Sequence, residues 1–217
     1  MARPPKPIIT RERAAQAALA EIDARGLKNF GLSHVAERLG VKAPSLYHHF
    51  HGKDELLAET ARLLLLEGRL PKAVAGLDWR EEIVRISSAS WRAILRHPQA
   101  ASLLLRFFPR RVLTGAYERW AEIFALNGVP PEWRLLVLEG AEKMTFGSAL
   151  FEAAAIVTET ELFPLEDPKR YPFLAEAAHA HKLGGEDTFV TCLRTFLYGV
   201  PLDRTPKEIA FAKPNGV

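Results

Sequence analysis

The segment GVKAPSLYHHFH, residues 40–51, concentrates side chains that could bind a metal ion, transfer protons or contact another molecule. Adjacent residues on a helix point about 100° apart, so His48 and His49 diverge rather than face one ion. No Asp, Glu or Cys lies within the segment at a spacing suited to joining His51 as a ligand. The residue types therefore favour a surface that contacts another molecule over a metal site.

Two short helices joined by a tight turn would position these side chains. We predict one helix over 32–39 and another from Pro44 to about residue 50, with Gly40 free to adopt a positive φ between them. Val41 would join a small core with the apolar residues Val35, Leu39, Leu46 and Phe50. This is the helix-turn-helix pattern, and the outward face of its second helix suits a DNA major groove.

The rest of the chain also shows helical periodicity, so we predict an all-α fold. Proline and glycine breaks place the other helices at about 10–26, 54–70, 79–97, 99–107, 110–127, 131–157, 168–182 and 186–199. We divide the chain into a DNA-binding domain at 8–68, with its motif at about 31–50, a larger helical domain at 71–200, and a frayed tail at 201–217.

Charge is distributed unevenly along the chain, whose net charge is +3. Residues 1–53 contain nine Lys or Arg against four Asp or Glu, whereas the remaining residues contain 20 against 22. A basic N-terminal part favours a polyanionic partner, although charge alone fits a solvated surface equally well.

The cellular setting is indicated by several absences in the sequence. No apolar run approaches the roughly 20 residues of a membrane span, and no N-terminal apolar segment has signal-peptide length. The single cysteine, Cys192, excludes an intrachain disulfide, and we predict that it is a small buried side chain between Phe189 and Phe196. We therefore expect a cytoplasmic protein without membrane contact.

The run FGLSHVAERLGVKAPSLYHHFHGKDELL, residues 30–57, resembles the DNA-binding domain of the TetR family of bacterial repressors. The resemblance rests on AERLGV, PSLY, the pair HF, and a lysine followed by acidic residues and two leucines. The later stretches LDWREE and LRHP resemble the regulatory half of the tetracycline-repressor-like branch. The family implies an N-terminal three-helix helix-turn-helix domain and a larger helical domain for ligand binding and dimerisation.

The resemblance also implies roles for individual residues. Tyr47 and Lys53 would hold phosphates, His49 would lie near the DNA backbone, and Ser33 could reach a phosphate. The residues at or near base edges would be Lys42, Ala43, Pro44, Ser45 and His48. A core position for Tyr47 remains the alternative.

Two departures from the family pattern concern helix caps. Gly31 stands where the family often has Ser or Thr, and no polar cap precedes Pro44. Docking would then depend more on phosphate contacts from Lys42 and Lys53.

The helices at about 131–157 and 186–199 are apolar around much of their circumference, which predicts that most of their sides are buried. In the family the corresponding helices pair across a two-fold axis, which implies a homodimer. Small residues that would allow close helix approach are Gly140, Gly147, Ser148 and Ala149. A purely intrachain core is the alternative for both helices.

The family also implies an inducer cavity among the central helices. The candidate lining residues are Trp91, Leu104, Phe107, Trp120, Met144 and Phe151, with Arg106, Lys143 or Glu152 as polar anchors. Aligned from LRHP, the metal-binding histidine of tetracycline-binding members falls on Leu104, which cannot bind a metal. We therefore expect a neutral or weakly polar organic ligand, and neither a cofactor nor a metal.

These observations predict a homodimeric transcriptional repressor that a small, mostly apolar ligand releases from a pseudo-palindromic operator. A ligand-independent DNA-binding protein is the alternative. An enzyme could use Glu139, Glu142 and Lys143, but the chain has no matching Glu-x-x-His pair, Gly-rich phosphate loop or activated serine or cysteine pattern. We therefore predict that the protein is not an enzyme.

Overall fold

The computed structural model describes residues 9–67, 76–162, 164 and 167–210, and within them every regular element is helical. The α-helices are α1 (Arg11–Arg25), α2 (Leu32–Arg38), α3 (Pro44–Tyr47), α4 (Lys53–Glu67), α5 (Trp79–Leu95), α6 (Leu103–Arg106), α7 (Arg110–Leu126), α8 (Pro131–Thr158), α9 (Pro172–Ala180), α10 (Gly185–Tyr198) and α11 (Pro206–Ala210). Short 3₁₀ turns cover Leu27–Asn29 and Pro98–Ala100. The predicted all-α fold is confirmed.

The first four helices form a small N-terminal unit, called the head here (residues 9–67). Thr10 caps α1 by accepting a hydrogen bond from the Arg13 amide at 3.1 Å, and Gly26 ends the helix at φ +76°. The face of α1 that packs against α4 and α2 is apolar and buried, with Ala18 and Ile22 fully enclosed. The apolar residues of the head therefore pack beneath the helix-turn-helix and belong to the same buried cluster as those of the body.

The remaining described helices, α5–α11, form the body (residues 76–210). Asp78 caps α5 by accepting a hydrogen bond from the Arg80 amide at 2.7 Å. The 28-residue helix α8 packs along α5, and α10 packs against both. None of the helices in the described ranges is long and apolar enough to cross a membrane.

Glycine permits one close approach inside the body. A Cβ atom at Gly140 would lie 2.3 Å from Cζ of Phe196, so the α10 phenyl ring packs directly on the α8 backbone. Gly147, in contrast, has open space where a Cβ would lie. The small residues of α8 thus serve an intrachain contact at Gly140 and leave the surface open at Gly147.

Several predicted boundaries differ from the observed ones. The second helix of the turn motif ends at Tyr47 rather than near residue 50, although the Phe50 amide still donates to the Leu46 carbonyl at 3.0 Å. The predicted helix 99–107 is divided into a 3₁₀ turn and α6. The predicted helix 168–182 begins only at Pro172, because residues 168–170 form a turn on the Asp167 carboxylate. Residues 68–70 lie outside the described part of the chain.

Residues 201–210 of the predicted tail include the helix α11, and residues 211–217 lie outside the described part of the chain. Thr205 and Glu208 cap α11 reciprocally, with the Thr205 amide 2.6 Å from Oε2 of Glu208. The Trp133 indole donates to the Arg204 carbonyl at 2.7 Å, which fixes the segment to α8.

The prediction that Cys192 is buried is also wrong, because its side chain is exposed. Phe189 and Leu193 face inward from α10, and Cys192 lies about 60° from Phe189 and about 100° from Leu193 around the helix, outside the buried face.

Candidate nucleic-acid interface and ligand cavity

The turn between α2 and α3 depends on a left-handed residue. Gly40 adopts φ +68°, its amide donates to the Glu37 carbonyl at 3.0 Å, and the Val41 amide donates to the Ala36 carbonyl at 3.0 Å. These bonds satisfy carbonyls at the end of α2 and reverse the chain toward α3. The glycine is therefore needed for its backbone conformation.

The start of α3 has no side-chain cap, as its sequence predicted. The amides of Ser45 and Leu46 instead donate to the carbonyls of Lys42 and Ala43, at 2.9 and 3.0 Å. Backbone carbonyls thus replace the missing polar cap at this helix.

Five of the eight predicted DNA-contacting residues of the motif are exposed. Leu46 and Phe50 are buried against the head, whereas Tyr47 is 56% exposed, which excludes the core position for its ring within one chain. The other exposed members are Ser33, Lys42, Pro44 and His48, and Ala43, Ser45 and His49 are half-buried. Hydroxyl, imidazole and ammonium groups of the motif are therefore exposed to solvent.

Lys53 has a structural contact in addition to its predicted role. Its Nζ donates to the Phe30 carbonyl at 2.9 Å and lies 5.2 Å from the Phe30 ring centre. This bond fixes the start of α4 to the entrance of α2. An ammonium group has three donors, so two N–H groups of Lys53 are available to a phosphate.

Arg11 is a functional candidate that the sequence interpretation missed. Its guanidinium donates to the His49 carbonyl, lies 2.8 Å from Oε1 of Glu55 and stacks 4.4 Å from the Phe50 ring centre. The His51 amide and Arg11 together hold the pKa of the Glu55 carboxyl below its ordinary value. A cation in the first turn of α1 interacts unfavourably with the helix dipole. This unfavourable position was the sequence signal that Arg11 has a partner elsewhere in the fold.

Glu21 is a second missed residue, and it lies in the core of the head with only 2% exposure. Its Oε1 is 2.5 Å from Nε of Arg25, its Oε2 is 3.1 Å from Nη2 of Arg38, and His34 lies at 3.8 Å. Two arginines thus compensate the buried carboxylate and join α1 to α2. In the sequence, the i,i+4 spacing of Glu21 and Arg25 is typical of a surface ion pair, and it gives no signal that Glu21 is buried.

A cavity of about 150 Å³ lies between α4 of the head and α5, α7 and α8 of the body. Its lining residues are Leu65, Leu66, Ile83, Ile86, Ser87, Ser90, Leu113, Ala116, Tyr117, Trp120, Leu138, Ala141, Glu142, Thr145 and Phe146. The walls are therefore mostly apolar, with a few polar groups, as in small-molecule sites.

Of the six predicted ligand-binding residues, only Trp120 lines this cavity. Trp91 is buried elsewhere, donating to Oγ of Ser148 at 3.1 Å and stacking on Phe189. Leu104 is buried, Met144 packs against the core, Phe107 lines a separate groove, and Phe151 is 70% exposed on α8.

The predicted polar anchors also lie outside this cavity. Arg106 pairs with Asp54 at 2.7 Å, and Lys143 pairs with Glu139 at 2.8 Å. The carboxyl of Glu152 lies where a Cβ at Gly185 would be.

Among the described residues, Glu142 is the one charged side chain that lines the cavity. The Tyr117 hydroxyl donates to its Oε1, and Nη1 of Arg110 lies 3.5 Å from its Oε2. Burial and the bond to Glu142 raise the pKa of Tyr117 to about 12, so the phenol keeps its proton at neutral pH. Groups of three or more His, Cys, Asp or Glu that could hold a metal are absent from the described residues.

Comparison with known proteins gives matches along most of the chain. Residues 15–60 match the sequence model of a family described as bacterial regulatory proteins, tetR family. The chain is 33% identical to the HTH-type transcriptional regulator BetI of Agrobacterium fabrum in an alignment 154 residues long that covers 64% of this chain and 74% of BetI. It is 24% identical to the tetracycline repressor protein class D of Escherichia coli over 199 residues, 91% of each chain.

A solved structure supports the fold. The TetR family protein ActR of Streptomyces coelicolor, in complex with actinorhodin, superposes with a TM-score of 0.68 at 21% identity over 88% of this chain and 96% of ActR. The likeness extends through head and body.

Proposed function

Because the chain belongs to the tetR family of bacterial regulatory proteins, we propose that it is a transcriptional repressor that a small, mostly apolar ligand releases from its operator. The predicted residues 8–68 would form its DNA-binding domain and residues 71–200 its domain for ligand binding and dimerisation.

The observation that carries this proposal is that α4 belongs to both sites. Its N-terminal residue, Lys53, is bonded to the entrance of the helix-turn-helix, and its C-terminal part supplies Leu65 and Leu66 to the cavity wall. Between these ends Leu56 and Leu64 are buried against the head and body. A ligand in the cavity would therefore touch the helix whose other end is bonded to the helix-turn-helix.

Two polar contacts provide further coupling between head and body. Arg106 of α6 lies 2.7 Å from Asp54 of α4, and Nδ1 of His97 lies 2.6 Å from Oδ2 of Asp23 in α1. The segment between α5 and α7 thus holds both long helices of the head. A shift of this segment or of α4 on ligand binding would rotate the head, which is the differential contact that allostery requires.

We propose that Lys42, Tyr47 and Lys53 contact phosphates, and that Ser45 and His48 face base edges from α3. Ser33 and His49 flank this surface, while Ala43 and Pro44 allow its close approach to the groove. The exposure of Tyr47 and His48 and the free donors of Lys53 support this assignment.

A helix-turn-helix reads two half-sites about one DNA turn apart, so the repressor needs two heads. We propose that α8 and α10 pair with their counterparts in a second copy. The side of α8 away from the core supports this, because it carries Phe151, which is 70% exposed, and, one turn before it, the open Gly147. A large exposed aromatic side chain beside open helix surface favours burial in an interface.

The proposal is tested by an electrophoretic mobility shift with DNA taken from immediately upstream of the protein's own gene. We expect a specific complex that survives excess unrelated DNA and that contains two chains per site. A fragment cut to one half-site should bind far more weakly. Failure to shift any upstream fragment at low salt would contradict the proposal.

The ligand-independent alternative predicts no role for the cavity. Replacing Ala141, which lines the cavity, by Phe would fill part of it. If the cavity is regulatory, the ligand should no longer release this variant from DNA. A change of the exposed Leu126 to Phe should leave the release unaffected. Equal ligand responses in both variants would favour the alternative.

A further inference from the structure

One charged side chain and several hydroxyl groups interrupt the apolar walls of the cavity. Glu142 is the single formally charged side chain in the lining that the described residues provide, and it is negative. The nearby cations do not enter: Arg110, the closest, has its side chain 71% exposed and also stacks on the Phe108 ring at 5.1 Å. The interior of the cavity therefore has a negative electrostatic bias.

The hydroxyl protons near Glu142 are already committed. Tyr117 donates its proton to the Glu142 carboxylate, and Thr145 donates its own to the Ala141 carbonyl at 2.7 Å. Both oxygens keep lone pairs that can accept a hydrogen bond. Together with the carboxylate they present three acceptors on adjoining turns of α7 and α8, so a ligand that satisfies them must be a donor.

We infer that the cavity binds a small organic cation, an ammonium group on an apolar body about the size of one aromatic ring, with the ammonium group directed at Glu142. This inference rests on the proposed function, because it specifies the ligand class of the regulatory cavity. The size follows from the volume of about 150 Å³, since an engineered apolar cavity of that volume holds benzene.

An anionic ligand is the main competitor, because Arg110 lies near the cavity. Such a ligand would have to displace Glu142 from Arg110 and then place its own charge beside that carboxylate. The ion pair is long, at 3.5 Å, and its Arg110 side chain is 71% exposed, so exchanging Arg110 for a ligand ammonium costs little. The geometry therefore favours a cation.

The inference is tested by isothermal titration of the full chain, without DNA, at pH 7 with three compounds of similar size. They are 2-phenylethylamine, the neutral 2-phenylethanol and the anionic 3-phenylpropanoate. We expect the amine to bind at least about 10-fold more tightly than the alcohol, as for one added charged hydrogen bond. The propanoate should bind most weakly.

Three variants identify the side chain that causes the preference for the amine. Glu142→Gln keeps the side-chain shape and the bond from Tyr117, so it should reduce the amine to the affinity of the alcohol. Arg110→Gln frees the carboxylate from its competitor and should strengthen amine binding. Arg111→Gln removes the same charge from an adjacent exposed residue that does not line this cavity, so it should change amine binding least. Circular dichroism establishes that each variant is folded.

The inference is overturned if the amine gives no binding heat at millimolar concentration, if the alcohol or the propanoate binds as tightly, or if the amine preference survives in Glu142→Gln. Weaker amine binding in Arg110→Gln would also contradict it. The titrations contain no DNA, so a failure to bind upstream DNA overturns the proposed function and leaves the ligand preference measurable.

Discussion

Arg38, the last residue of α2, contacts the buried carboxylate of Glu21 in α1, with 3.1 Å between Nη2 and Oε2. This ion pair joins the first helix of the turn motif to the helix beneath it. Glu21 is almost fully enclosed, whereas Arg38 retains 42% exposure of its side chain. Removing the arginine therefore leaves a poorly compensated charge in the core of the head.

We predict that Arg38→Ala lowers the free energy of unfolding by about 1–3 kcal/mol, the cost of a buried charged group that loses a hydrogen-bond partner. Urea denaturation followed by circular dichroism measures the change. Arg62→Ala is the matched control, because it breaks an ion pair with Glu59 within α4 and should cost less than about 1 kcal/mol. Equal losses in both variants would mean that the Arg38 ion pair stabilises the protein no more than the ion pair within α4 does.

Gly40 provides a second prediction, because its φ of +68° is combined with open space around the site. Gly40→Ala should cost about 1–2 kcal/mol from backbone strain alone, and Gly40→Asn should cost less because Asn tolerates this region better. Gly115 lies exposed inside α7, again with open space, so Gly115→Ala should stabilise the protein by about 0.5–1 kcal/mol. Thermal melts of the variants would contradict the assignment if both alanine changes had the same sign.

The turn motif could be predicted from the sequence because its determinants are local. Gly40, Pro44 and the spacing of Val35, Leu46 and Phe50 define the turn and the inward face within 16 residues. The fold followed from helical periodicity and proline breaks in the same way.

The cavity could not be predicted from the sequence, because it depends on which side of a uniformly apolar helix faces inward. On α8, Leu138, Ala141 and Thr145 face the cavity, whereas Phe151 points outward. The apolar circumference of α8 does not distinguish these sides. Glu142 was considered only as an enzymatic group, since its partners Tyr117 and Arg110 lie on a different helix.

The outward position of Phe151 provides a third prediction. Phe151→Glu places a charge at the centre of the proposed α8 and α10 interface and should convert the dimer into a folded monomer. Light scattering after size-exclusion chromatography measures the mass. Leu126→Glu introduces the same charge at an 80% exposed position at the end of α7, and this control should remain dimeric. A dimeric Phe151→Glu protein would place the interface elsewhere.

The exposed Tyr47 provides a fourth prediction. Tyr47→Phe removes the hydroxyl and keeps the ring, so loss of the proposed phosphate contact should weaken operator binding by roughly 10-fold. Protein stability should be unchanged, because the side chain is 56% exposed. Fluorescence anisotropy measures the DNA affinity, and an unchanged affinity would show that the Tyr47 hydroxyl does not contact DNA.

The central claim, that the α3 surface binds DNA, is tested most directly by the salt dependence of binding to upstream DNA. For wild-type protein we expect the logarithm of affinity to fall linearly with the logarithm of salt concentration. Lys42→Ala should reduce the slope by about two per dimer, one phosphate per head, whereas Lys182→Ala, a charge change in the body between α9 and α10, should leave it unchanged. A wild-type slope near zero, or an identical slope in Lys42→Ala, would contradict the account.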